Sequence, residues 1–494
     1  MVAGKEIKFF HGRLKKGIER LAREYLSCLE EDERIFEIDL SVVKTHSLML
    51  NKQGYLSKNE LEKILSALEK LKRDWREGKL KKLFSKANRE FTDIHPFIEQ
   101  YLIDTCGIEI GGKVNLGRSR NDQVVTDLRI YLREEILEIG QSLIDFIQSL
   151  LILVTRHYET VFPGYTHRQP AQVTTYAHYL LSYVDIFLRD LDRLKEVYSR
   201  INLNPLGASA LAGSSLPLDR EYTRKLLNFG GILENSIDAV SSRDFLLESA
   251  NASVLIMLSL SRMAKDLILW SSYEFGLLEL ADGLSDISTA MPQKKNPSIL
   301  ELLLGKTHLA VGLLNHLYTT LGGLESGYNQ ELQELKSSLW KIIDFTRPSI
   351  KITQEVFLTL KINKERIREI LEKSYLTAID FAEFLVKSGY VRNFRKAHFL
   401  VGNTVKELIK EKRFLSQLTP EEMRKISRKV LGKEICLTQD VIKKVTDPIL
   451  GVRQRKSLGG PAPEEVKRMW KFRQKELNIK KKDWKVRISK LKDS

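Results

Sequence analysis

The stretch Ser236–Phe275, SIDAVSSRDFLLESANASVLIMLSLSRMAKDLILWSSYEF, contains neither proline nor glycine, and from Ala252 to Leu269 it is apolar on most sides. A helix that is apolar nearly all round is buried in a large core or crosses a membrane. Ser259, Ser261, Arg262, Lys265 and Asp266 fall within or beside the apolar run and favour the core. Outward from it, Asn121–His157 runs without proline and with one glycine, Gly140, and its apolar positions recur at helical spacing. Ala171–Arg200, Ser298–Leu321 and Leu332–Leu360 read in the same way. Helices of about 30 residues span about 45 Å each. The expected fold is therefore all-α, with a helical region over 1–112, a central bundle of long helices over 113–362, and a small helical domain with a basic end over 363–494. Breaks are expected at Gly389, Gly432 and Gly459.

Composition narrows the function classes. The chain has 494 residues, 43% hydrophobic and 29% charged, enough for a large core and for several domains. Its three cysteines, Cys28, Cys106 and Cys436, are far apart and odd in number, which points to a reducing compartment. The N-terminal MVAGKEIKFFHGRLKKG has no apolar signal-like core, and no run of about 18 apolar residues occurs, so a soluble cytoplasmic chain with no membrane partner is expected. The net charge is +16, but Lys467–Ser494 holds twelve Lys/Arg against three Asp/Glu and supplies over half of it. Such an end is commonly a solvated surface, and no nucleic-acid partner is expected. Trp470 and Trp484 within it favour a packed helix over a free tail.

Four polar strings interrupt the helical pattern. GGKVNLGRSRNDQ (Gly111–Gln123) crowds Ser119, Arg120 and Asn121 at the start of a long helix, where free N–H groups and the dipole favour an anion or a simple cap. PGYTHRQP (Pro163–Pro170) is a turn carrying Thr166 and His167, an imidazole suited to structure or to proton transfer. DGLSDISTAMPQKKNP (Asp282–Pro297) is a long polar connection between two apolar helices, and connections of that length tend to be functional. YNQELQELK (Tyr328–Lys336) would place Gln333 and Lys336 on one helical face. No dinucleotide, phosphate-loop or metal-ligand spacing is present, so neither cofactor nor metal is expected.

Taken together, GRSRNDQV (Gly117–Val124), GYTH (Gly164–His167) and MPQKKNP (Met291–Pro297) resemble the fumarase/aspartase superfamily and, within it, the argininosuccinate lyase and delta-crystallin branch. The likeness extends over nearly the whole chain, with further matches at Asp93–His95, Asn204–Ala208, Asp238–Phe245 and Gly459–Glu464. The resemblance implies a three-domain fold of that superfamily, a homotetramer with sites shared between subunits, and reversible elimination of a small-molecule substrate, argininosuccinate, to arginine and fumarate. It assigns Ser288 as the base, His167 as the acid, Glu301 as the carboxylate that orients it, and Lys294 as the cation that holds a substrate carboxylate. It assigns Ser119, Arg120, Asn121, Thr166, Asn296, Tyr328, Gln333 and Lys336 to substrate binding and puts His95 near the site. The chain departs from the pattern at Asn115-Leu116, Arg168, Ile287 and Leu335, and Cys28 aligns with a substrate-binding serine. Other readings are a lyase for another N-substituted succinate such as adenylosuccinate, a silent crystallin-like relative, and a nucleic-acid binder.

Overall fold

The structure, a computed structural model, describes residues 17–80 and 91–492. Helices α1 (Phe36–Lys52), α2 (Lys58–Arg76) and α3 (Ile94–Cys106) form the N-terminal part. Five long helices follow: α4 (Arg120–Arg156), α5 (Tyr176–Ile201), α6 (Asp244–Ser271), α7 (Ser298–Leu321) and α8 (Leu335–Thr359). Their buried faces join in one apolar cluster, with Leu143, Ile147, Val184, Leu260, Leu303 and Ile350 among its members. A second cluster, Phe381 to Ile442, is built by α9 (Ala378–Lys387), α10 (Phe394–Lys410), α11 (Pro420–Leu431) and α12 (Gln439–Thr446). Strands are few and short. The fold is all-α, as expected.

Besides the run Ala171–Arg200, which is strand up to Thr175 and helical from Tyr176, two details differ from the sequence reading. The run Ser236–Phe275 is broken: a short helix ends at Ser241, and α6 begins at Asp244. Arg243 lies at the break, buried, with its guanidinium donating to the carbonyls of Val240 and Ser242. Second, the chain returns to the bundle at its end. Helix α13 (Pro463–Lys492) is a sixth long helix and packs on α4 and α5. Its inner face places the Trp470 indole N–H 3.0 Å from the carbonyl of Leu151 and that of Trp484 2.9 Å from Leu137. The basic end is thus a packed helix.

Gly140 explains itself here. A Cβ at that position would lie 1.9 Å from Trp484 Cζ2, so the indole fits only over a bare backbone. Gly140→Ala gains helix propensity of about 1 kcal/mol, yet must displace the ring. We expect a net destabilisation of about 1–3 kcal/mol, the usual cost of overpacking, with a red-shifted tryptophan emission. Thermal melting and fluorescence check both.

Among the described residues one helix, Arg120–Arg156, is long and apolar enough to cross a membrane, and 72% of its most apolar window is buried within the protein. It is a buried helix of the bundle, as is α6, whose Ala252–Leu269 stretch packs on α5, α7 and α8 as the sequence reading expected of a core helix.

Candidate active site

The start of α4 is fixed by local chemistry. Ser119 caps the helix: its Oγ accepts the Asn121 N–H at 3.3 Å, while Asp122 reaches back to the Ser119 N–H at 3.0 Å. The second Asp122 oxygen accepts the N–H groups of Gly207 and Ser209 at 2.8 and 2.9 Å, tying the cap to the neighbouring loop. Asn121 donates its amide to the Ala210 carbonyl at 3.0 Å. Arg120, between them, points inward. It binds Asp93 at 2.7 Å and lies 5.7 Å from the Tyr328 ring centroid. Asp93 in turn caps α3 through the His95 N–H.

Beneath this cap is a small pocket where five separate strings of sequence converge: Asp32, Asp93 and His95, Arg120, Arg243, and Tyr328 with Gln333 and Lys336. Lys336 is buried, paired with Asp32 and 3.3 Å from Cys28 Sγ. Burial opposes its charge, but Asp32 and Cys28 overcome that and raise its pKa, so it stays an ammonium. Burial pushes the Cys28 thiol up to about 12, leaving it a neutral, weakly reactive group. Burial likewise opposes a charged His95, yet Asp39, 3.1 Å from Nδ1, holds its pKa above the ordinary histidine value. Burial, partly offset by Tyr328, brings Arg243 down to about 10, still charged near neutrality. Asp32 and Asp93 also line the pocket, paired with Lys336 and Arg120, and Arg243 leaves its cations in excess at one end of the bundle, a fit for carboxylates. Asp39, His95 and Asp127 bring ligand atoms within 4.8 Å of one another. His95 Nδ1 is already bonded to Asp39, and Arg118 stands close to both carboxylates, so the group reads as support for His95 rather than as a cation site.

The other predicted residues lie at the opposite end. Strands β1 (Val161–Thr166) and β2 (Gln169–Thr175) form a hairpin whose two-residue turn is His167-Arg168. Their φ values of 53° and 60° are both left-handed, as the tight hairpin turn requires. Neither is a glycine, so the turn holds both side chains out at the tip at some backbone cost. Strands β3 (Asp286–Ile287) and β4 (Lys295–Asn296) form a second hairpin. Within its loop Ser288 Oγ accepts the N–H groups of Ala290 and Met291 at 3.3 and 3.0 Å. Two N–H donors on one hydroxyl favour its deprotonated form. Of the twin lysines, Lys295 is held by Glu279 and Asp282 at 2.8 and 2.7 Å, while Lys294 is exposed with no ion-pair partner among the described residues. Glu301 stands exposed in the first turn of α7.

The two ends are a helix apart. Arg243 of the pocket directly precedes α6, and Trp270 near its far end packs on Phe162 of the His167 hairpin. With 28 residues, α6 spans about 42 Å. One chain thus brings His95, Arg120, Tyr328, Gln333 and Lys336 together, with Ser119 and Asn121 at the rim. It sets Ser288, Lys294, Asn296, Glu301, Thr166 and His167 at the other end, and no hydrogen bond joins His167 to Glu301 among the described residues.

Comparison with known proteins places this arrangement. The family profile described as "Lyase" matches residues 12–312, and that described as "Argininosuccinate lyase C-terminal" matches 375–449. The chain is 39% identical over 485 residues to the argininosuccinate lyase of Methanosarcina barkeri, covering 98% of this chain and 95% of that protein. It is 38% identical over 480 residues to that of Methanocaldococcus jannaschii, covering 97% and 96%. The chain belongs to the argininosuccinate lyase family. Among solved structures, an EDDS lyase in complex with formate superposes with a TM-score of 0.83 at 30% identity, covering 94% of this chain and 93% of that one. A class II fumarase from Schistosoma mansoni, at 17% identity, 88% and 94% coverage and a TM-score of 0.70, shares the fold.

Within this argininosuccinate lyase family chain, one departure from the family strings has a local reason. Leu335 is fully buried at the start of α8, where a carboxylate would be desolvated. The Leu116 backbone carbonyl accepts from His46 Nε2 at 2.9 Å and anchors the turn before the Ser119 cap, a contact that does not depend on the side chain there. The sequence reading missed Asp32 as a pocket residue and took Asp93 and Arg243 only as parts of matching strings. Buried charges carry no mark in one sequence.

His46 gives a pH prediction. Burial and the nearby Arg118 lower its pKa from 6.5 to about 3. A depressed pKa contributes stability above about pH 6.5 that is lost as pH falls towards 3. His46→Gln keeps a donor for Leu116 and should flatten that loss, read as the slope of melting temperature between pH 6.5 and 4.

Proposed function

We propose that the chain catalyses reversible elimination of argininosuccinate to arginine and fumarate in the cytoplasm, as a homotetramer whose sites are shared between subunits. The observation that carries the reading is the convergence of Arg120, Tyr328, Gln333 and Lys336 on one buried cationic pocket in a chain of this family. In this reading Ser288 removes a proton from the carbon beside a carboxylate. Lys294 and Asn296 hold that carboxylate as it takes up negative charge. His167, oriented by Glu301, protonates the departing guanidino nitrogen. Ser119, Asn121 and Thr166 complete the substrate contacts, and His95 supports the cationic pocket from below.

The separation of the two ends supports shared sites. So does α7, which leaves Leu302 60% and Leu309 50% exposed on a helix from the centre of the bundle. Apolar side chains at such spacing ask for a partner helix. A division at 112 and 362 belongs to the same reading, with α13 returning to cover the bundle.

Purified protein offered argininosuccinate and adenylosuccinate in parallel should release fumarate, seen by its ultraviolet absorbance, from the first. Release from neither refutes the enzyme, and release only from the second refutes the substrate. Mixing inactive Ser288→Ala chains with inactive Lys336→Met chains, unfolded and refolded together, should restore part of the activity. A fully active monomer in light scattering would refute the shared site.

A further inference from the structure

Helix α13 has two apolar faces. The inner one, with Trp470, Leu477 and Trp484, covers the bundle. The outer one is a single row: Phe472, Ile479 and Val486 are 61%, 61% and 54% exposed and stand seven residues apart. Seven residues are nearly two helical turns, so the three side chains line up over about 21 Å. Lys471, Lys475, Lys482 and Lys485 flank this row, all exposed and without an ion-pair partner among the described residues. The acids nearby are already engaged: Glu476 with Lys480, and Asp483 with Lys195 and Arg487. The row also lies away from the exposed side of α7, since α13 packs on α4 and α5 while α7 packs on α6 and α8.

We propose that this outer face of α13 docks an acidic amphipathic helix of another protein. The seven-residue repeat is the spacing of a helix-on-helix seam. A row one residue wide is narrower than the apolar face that a helix lays into a lipid surface. Lysine stems extend the apolar strip while their ammonium groups ask for carboxylates on the partner. A second copy of the same face would bring lysine against lysine, so the partner is a different surface, with Glu or Asp opposite Lys475 and Lys482.

The test uses the full chain and a fluorescein-labelled 21-residue peptide with leucine at every seventh position and glutamate beside it. A scrambled peptide of the same composition and vesicles of mixed phosphatidylserine and phosphatidylcholine run alongside. By anisotropy the ordered peptide should bind at low salt, and Ile479→Glu with Val486→Glu should weaken it tenfold or more. Melting temperature and fumarate release should be unchanged, because both side chains face outward. Lys475→Glu with Lys482→Glu should weaken it similarly. Equal binding of the scrambled peptide, no binding of either, or vesicle binding that depends on Ile479 and Val486 would each overturn the proposal.

Discussion

Ser288→Ala should lower kcat by roughly 10²–10⁴-fold, the usual cost of removing a general base, while changing substrate affinity by less than about tenfold. The separation of these effects follows from where the hydroxyl works. A base contributes in the transition state and little to ground-state binding, so its loss appears in kcat. The geometry gives the hydroxyl what a serine base needs, because the N–H groups of Ala290 and Met291 both point at its Oγ. These donors come from the loop backbone and remain in the alanine variant, so the loop should keep its shape. Steady-state kinetics with direct binding of fumarate separate the two quantities. Retention of more than about a tenth of wild-type turnover would remove Ser288 from the role of base, given the size of that penalty. Thr289 would then be the next hydroxyl to test.

Lys336→Met should destabilise the fold by about 3–5 kcal/mol, because it leaves Asp32 charged and unpaired in a buried place. Both partners are almost fully excluded from solvent. Substrate affinity should fall as well, since the ammonium belongs to the pocket that meets carboxylates. The double change Asp32→Leu with Lys336→Met removes both charges and should recover most of the stability but none of the affinity. Chemical denaturation of the three proteins, with substrate binding measured on each, distinguishes a structural pair from a binding one. Equal losses of affinity and stability that are both recovered in the double variant would make Lys336 structural only.

Much of the scaffold was legible in the sequence because helix ends announce themselves there. Helix α7 begins after Pro297 and ends before Gly322, and the spacing read it to the residue. The break at Ser242–Arg243 was invisible, since neither proline nor glycine marks it and Arg243 looks like any surface arginine until its burial is known. The hairpin around His167 was read as a simple turn before a helix. Its strands are short, one face is solvated irregularly, and the two left-handed residues are not the glycine or asparagine that usually signal such a turn. The site divided along the same line. The strings themselves were legible, as was the suitability of each for anions or protons. Their sorting into two ends of one bundle was not, because a sequence gives spacing along the chain and not the length of the helix between.

The pairing of Trp484 with the backbone beside Gly140 sets an order in time. The contact joins residues 347 apart in the chain. At about 5–20 residues per second, a ribosome needs roughly 17–70 s to add the indole after Leu137 has been made. Through that interval the groove on α4 and α5 that α13 will cover has no lid. The groove can be covered only after the codons of α13 have been read. A chain stopped early would carry that open groove for as long as it survived.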